Sequence, residues 1–219
     1  MELLTLDVYI ITLCFLVSLS VYFKLDPSYL YLKLFPPFLL ATILVEIWGL
    51  YLGSIGKNNL TLYNFFTAFE FCFYLWVISF IINQKKVKGI IRVTVILYVF
   101  AAVSNILFIQ KMKTFHTVTY SLGCLLIVSF CIYYFFELFR LPKSVKLKNN
   151  PAFWICSGLL FFYCCGFPLY GLINYWSDIS KLILKNFDKI LTILNIFLYS
   201  LFTIAFLCMR TRKYTLLPL

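Results

Sequence analysis

Charge is what this sequence has least of. Only 12% of its 219 residues are Asp, Glu, Lys or Arg, against 63% hydrophobic and 21% aromatic, and the mean hydropathy is +0.95. A soluble domain carries about 25% charged residues because its surface needs them. This chain has too few to cover a globule, so the class indicated is an integral membrane protein with the lipid bilayer as its solvent.

Histidine is nearly missing as well, His116 being the single one. That excludes bis-histidine haem and the multi-histidine zinc sites of intramembrane hydrolases, which need several imidazoles on one metal. Residues 190–208 contain no lysine, so a retinal Schiff base deep in the last helix is excluded. No G-x-S-x-G nucleophile turn and no glycine-rich phosphate loop occurs. No catalytic residue, cofactor or metal is therefore expected. The eight cysteines form no C-x-x-C and all lie inside apolar runs, where they read as small packing residues. Cys164 and Cys165, adjacent in sequence, would point about 100° apart on a helix. The N-terminal MELLTLDVYIITLCFLVSLSVYFK lacks a basic leader and a small-residue cleavage site, which predicts a retained first span.

What the chain has in abundance is long apolar runs. A hydrocarbon core about 30 Å thick takes about 20 residues of helix. Seven runs qualify, at 4–23, 34–54, 60–82, 90–109, 117–139, 152–173 and 189–208. Open strands would leave unpaired backbone in lipid, and barrel alternation is absent. The expected fold is an all-α integral membrane bundle of seven transmembrane helices, forming one domain over residues 1–219. Pro36, Pro37 and Pro151 fall where helices two and six begin, a position at which proline costs no hydrogen bond. Pro168, inside the sixth run, predicts a kink.

The net charge of +11 is distributed as a topology signal rather than a nucleic-acid footprint, so no nucleic acid partner is expected. One side would hold 13 basic residues: Lys24, Lys33, Lys85, Lys86, Lys88, Arg92, Arg140, Lys143, Lys146, Lys148, Arg210, Arg212 and Lys213. The other would hold 6: Lys57, Lys111, Lys113, Lys181, Lys185 and Lys189. The richer side faces the cytoplasm, which predicts an N-out, C-in protein of the inner (plasma) membrane. The segments LTLYNFF at 60–66 and LTILNIF at 191–197 are alike, as are LYLG at 50–53 and LYG at 169–171. They suggest parallel repeats of helices one to three and five to seven, with helix four as linker.

Polar residues recur at helical spacing and should face inward. The stripes are Thr42, Glu46, Gly49 and Gly53 on helix two; Tyr63, Thr67, Glu70 and Tyr74 on helix three; Thr94, Tyr98, Ala101 and Asn105 on helix four; and Thr192, Asn195, Tyr199 and Thr203 on helix seven. Glu46 and Glu70 should lie about 12–15 Å below the same surface, at 1.5 Å per residue. Asn64, Asn105, His116, Asn174 and Asn195 fall at or above that level. Two readings follow. The carboxylates, with Tyr63, Asn64, Thr67, Tyr74, Asn105, Asn195 and Tyr199, line an outward-opening polar cavity for a cation, an amine or a shared proton. Otherwise they are protonated acids that hold helices together by hydrogen bonds. Glu137, three residues before Arg140, predicts an interfacial ion pair.

LYNFFTAFEFCFYL at 62–75, TYSLG at 119–123, YYFFEL at 133–138 and NPAFWICSGLLFFY at 150–163 carry a resemblance. The chain is similar to uncharacterised bacterial seven-transmembrane inner-membrane proteins, related to sensor regions that precede histidine kinases. That resemblance implies a non-enzymatic sensor, receptor-like protein or accessory subunit. MRTRKYTLLPL, all that follows Cys208, implies that any signal passes to a separate protein partner through the basic cytoplasmic loops or within the membrane. The helix count also looks like small sugar or amino-acid exporters, although their proline–glutamine motif is missing. A small-solute transporter, proton-coupled through Glu46 and Glu70, and a structural subunit of a membrane complex are the alternatives.

Overall fold

The computed structural model describes residues 2–22, 27–110, 114–140, 147–171 and 181–212. Asn174 and the basic residues Lys24, Lys111, Lys113, Lys143, Lys146 and Lys213 lie outside them. The described residues form seven α-helices, with no strand among them: α1 (Glu2–Tyr22), α2 (Phe35–Ser54), α3 (Leu60–Ile81), α4 (Lys85–Ser104), α5 (Thr117–Phe139), α6 (Pro151–Gly171) and α7 (Lys181–Arg212). Short 3-10 turns at Pro27–Leu34 and Leu147–Asn149 lead into α2 and α6.

The helix limits follow the apolar runs closely, because lipid forces every backbone group to pair within its own segment. Pro36 and Pro37 stand in the first turn of α2 and Pro151 opens α6, as their missing N–H allows. Helix α6 runs through Pro168 to Gly171. Helix α7 differs from its apolar run: it spans 32 residues, about 48 Å at the standard rise, and so continues past the apolar layer at both ends. Hydropathy marks only the lipid-buried part of a helix, and Asn186, Asp188 and Lys189 belong to its polar extension. Six helical segments are long and apolar enough to cross a membrane, and α1 contributes a shorter apolar stretch, Leu6–Ser20.

Helix α4 ends in a wide turn over Asn105–Ile109, where the Gln110 N–H donates to the Asn105 carbonyl at 2.9 Å, five residues back. In sequence this turn is indistinguishable from the α-helix that precedes it.

Helix α7 packs between α1 and α6; α6 packs on α5; α5 packs on α3; and α4 lies outermost, against α3. Helices α2 and α3, joined by a short loop, meet mainly through side chains. Phe38 stacks on Phe73 with ring centroids 3.9 Å apart, and Phe35 makes edge contacts with Phe73, Phe202 and Phe206. A second aromatic nest surrounds Phe71, whose ring meets Tyr98, Tyr120 and Tyr163. Gly123 makes room for it on α5, since a Cβ there would stand 2.6 Å from the Phe71 ring. Close approach at small residues is the usual way for helices to gain packing contact in lipid.

The outside of the bundle is apolar. Leu13 and Leu16 on α1, Leu44 and Ile47 on α2, Phe65 and Phe69 on α3, Ile96 and Phe100 on α4 and Phe136 on α5 are all exposed. In water such a surface would drive aggregation; in a bilayer it is the lipid-contact face. Hydroxyls inside the helices satisfy themselves locally: Thr42 donates to the Phe38 carbonyl, Ser79 to Trp76, Ser129 to Leu125 and Thr203 to Tyr199, all at 2.7–3.0 Å. All eight cysteines are free thiols.

Glu137 does not meet Arg140. Its carboxylate accepts from the backbone N–H of Asn83 at 3.0 Å and of Gln84 at 3.0 Å, at the start of α4. These amides have no partner within their own helix, and the helix N-terminus attracts negative charge. A carboxylate within reach of such a site gains more there than from a solvated arginine.

Candidate functional site

The end of the bundle that carries the α2–α3 loop encloses a cavity of about 430 Å³. Six of the seven helices build its wall; α4 is the exception. Of the nine residues expected to form a site, six line it: Glu46, Tyr63, Thr67, Glu70, Asn195 and Tyr199. The i, i+4, i+7 spacing of Tyr63, Thr67 and Glu70 puts them on the one face of α3 that looks into it. Asn195 and Tyr199 do the same from α7.

The other three do not line it. Tyr74, one turn beyond Glu70, is fully buried, with its ring against Phe38, Tyr163 and Phe202. Asn64 holds the segment before α5: its Nδ2 donates to the Thr114 carbonyl at 2.8 Å and its Oδ1 accepts from the His116 N–H at 3.1 Å. Asn105 is buried in a polar knot, donating to Gln110 Oε1 at 3.0 Å, while Gln110 Nε2 donates to Thr117 Oγ1 at 3.1 Å. Both asparagines satisfy backbone or loop groups that periodicity does not reveal.

Several cavity residues were not singled out as site residues. Asp7 enters from α1, where its Oδ2 accepts from Thr192 Oγ1 at 3.1 Å. It stands inside an apolar run just as Glu46 and Glu70 do, and that was its only signal in the sequence. Tyr120, Tyr163 and Tyr170 contribute aromatic wall, and Asp188 and Lys189 contribute an exposed charged edge. In a chain with 16 tyrosines nothing marks these three in advance.

Electrostatically the cavity is one-sided. Tyr63 donates to Glu46 Oε2 at 3.2 Å, across the gap between α2 and α3. The Glu46 carboxylate is within electrostatic reach of both Asp7 and Glu70. The hydroxyls of Tyr74 and Tyr163 lie alongside the Glu70 carboxyl, yet neither closes a hydrogen bond of normal length and angle. Among the described side chains no lysine or arginine pairs with Asp7, Glu46 or Glu70. Nor, among the described residues, do three acidic, histidine or cysteine side chains converge closely enough to hold a metal ion. The acids are spread along the wall rather than focused on a point.

An apolar helical bundle with a lipid-contact exterior and a polar cavity at one end defines a polytopic membrane protein. Compared with protein-family models, curated proteins and solved structures, the chain matches none.

Proposed function

We propose that the protein is a receptor-like sensor or accessory subunit of the cell's inner membrane. It crosses seven times with its N-terminus outside, takes a small ligand into the cavity from the outer face, and passes occupancy to a partner at the cytoplasmic side or within the membrane. The observation that carries this reading is the cavity itself, an acid-lined space of about 430 Å³ walled by six helices. A ligand held between Glu46 and Glu70 touches α2 and α3 together. These two helices are tied mainly by aromatic side chains and the Tyr63–Glu46 bond, so occupancy acts directly on the contact between them. The like-sequence segments 60–66 and 191–197 both contribute wall residues, among them Leu60 and Leu191, in keeping with a 3+1+3 repeat. The resemblance to sensor regions that precede histidine kinases agrees with the same role.

A second pocket of about 210 Å³ at the opposite end, lined by Tyr29, Tyr31, Tyr134 and Glu137 among others, favours a small-solute transporter as the other reading. The fully buried Phe35, Leu39, Tyr74, Ile78 and Phe202 fill the core of the bundle, so transport would require that packing to open. Reconstituted vesicles and mild-detergent purification separate the two. A stoichiometric partner recovered without solute flux is the expected result. Gradient-dependent uptake that Glu70→Gln abolishes would overturn the receptor reading in favour of transport.

A further inference from the structure

Three features of the cavity bear on what it takes. The first is charge: Asp7, Glu46 and Glu70 face the same space without a cationic partner among the described side chains. A carboxylate in a low-dielectric setting is stabilised by a cation that brings its own N–H donors. The second is a pair of buried hydroxyls. Tyr163 is 1% exposed and Tyr120 6% exposed; both rings line the cavity, the Tyr163 hydroxyl lies alongside the Glu70 carboxyl and the Tyr120 hydroxyl beside the Cys124 thiol, and neither closes a hydrogen bond of normal geometry. Buried polar atoms in a native protein are almost always paired, so a hydroxyl left short of a full hydrogen bond beside the Glu70 carboxyl has capacity for a polar group held there. The third is the wall, to which eight aromatic side chains contribute, and ring faces attract ammonium groups.

Together these features discriminate among ligands. An anion meets three carboxylates and is repelled. A bare metal ion finds no convergent set of ligands among the described residues. A quaternary ammonium ion satisfies the rings but offers no N–H to Glu46, Glu70 or the Tyr163 hydroxyl. A protonated primary amine satisfies all of them, and about 430 Å³ is within the usual range for small-molecule pockets, leaving room for an apolar body beside the charged head.

We infer that the cavity is a binding site for a small organic primary amine, its ammonium group held between the Glu46 and Glu70 carboxylates with the Tyr163 hydroxyl beside them, and its apolar body against the aromatic wall. This deepens the receptor reading and rests on it for the direction of entry. The ammonium donates to Glu46 and Glu70, and Tyr63, which donates to Glu46 Oε2 at 3.2 Å, keeps that carboxylate turned toward the ligand.

The test is direct binding to purified protein in lipid nanodiscs, read by calorimetry and by the shift in unfolding temperature. The probes are 2-phenylethylamine, its neutral alcohol analogue 2-phenylethanol, the anion phenylacetate, tetramethylammonium and sodium. Saturable binding of 2-phenylethylamine is expected, at least tenfold tighter than of 2-phenylethanol or tetramethylammonium, with none for phenylacetate. Glu46→Gln and Glu70→Gln should each weaken it tenfold or more, while Glu137→Gln, at the far end of the bundle, leaves it unchanged. Unfolding without ligand shows that each variant is folded. If a glutamine variant fails to fold, Tyr163→Phe, which removes one hydroxyl and no charge, should weaken the amine severalfold and leave 2-phenylethanol unaffected. Equal binding of amine and alcohol, no saturable amine binding, or amine binding that both glutamine variants retain would overturn the inference. Carboxylate-dependent amine binding accompanied by flux in vesicles would remove the receptor reading and leave the ligand class standing. Partner coupling without amine binding would do the reverse.

Discussion

Gly123 is a position where packing leaves little freedom. A methyl group there would enter the ring of Phe71, which is wholly buried and hemmed by Tyr98, Tyr120 and Tyr163. Helix propensity alone favours alanine over glycine by about 1 kcal/mol, but overpacking a rigid core costs about 1–3 kcal/mol. The packing term wins because the ring has nowhere to go. Gly123→Ala is expected to lower stability by up to about 2 kcal/mol in a reversible unfolding assay. Gly89, in α4, has nothing within 4 Å of its would-be Cβ, so Gly89→Ala should be neutral or stabilising by up to about 1 kcal/mol. If both substitutions behave alike, the close approach of α3 and α5 is wrong. The same contrast separates the asparagines. Asn195 faces the cavity, whereas Asn64 spends both ends of its amide on the backbone at Thr114 and His116. Side-chain type was legible for both; what each side chain meets was not.

Elements show the same division at longer range. Helix α4 has the most lipid-exposed span and packs chiefly on α3, so its first turn depends on help from outside the helix. Glu137 of α5 supplies it by accepting from Asn83 and Gln84. Glu137→Ala should cost about 0.5–1 kcal/mol, the range of an exposed helix cap. It should also speed amide exchange at Asn83 and Gln84, while Arg140→Ala leaves both amides unchanged. Faster exchange in the arginine variant instead would restore the ion pair that sequence spacing suggests. That pairing looked reasonable because three residues on a helix bring side chains together. The competing partner is about 50 residues away along the chain and becomes a neighbour only once α3 and α5 pack.

At the scale of the whole molecule, apolar faces outside and acids inside make the bundle a membrane object with one distinctive end. Its orientation rests on the lysine and arginine bias between the two sets of loops. An epitope inserted at Gly56, in the α2–α3 loop, should be accessible on intact cells. One inserted within 141–146 should become accessible only after permeabilisation. The reverse pattern would place the acid-lined cavity on the cytoplasmic side and move the proposed ligand to the cell interior.

Run length, proline placement and the demand that backbone pair within each segment determined the helices from sequence alone, since each is a local property that lipid enforces. Helical periodicity also determined that Tyr63, Thr67 and Glu70 share a face, and equal depth brought Glu46 to their level. Only the tertiary structure decided that Asp7 joins them, that Tyr120 and Tyr163 close the wall with buried hydroxyls, and that Asn64 and Asn105 serve loops instead. Those outcomes depend on which helices become neighbours. In a chain that is apolar on nearly every face, side-chain fit between helices chooses the neighbours, and periodicity within one helix carries no record of it.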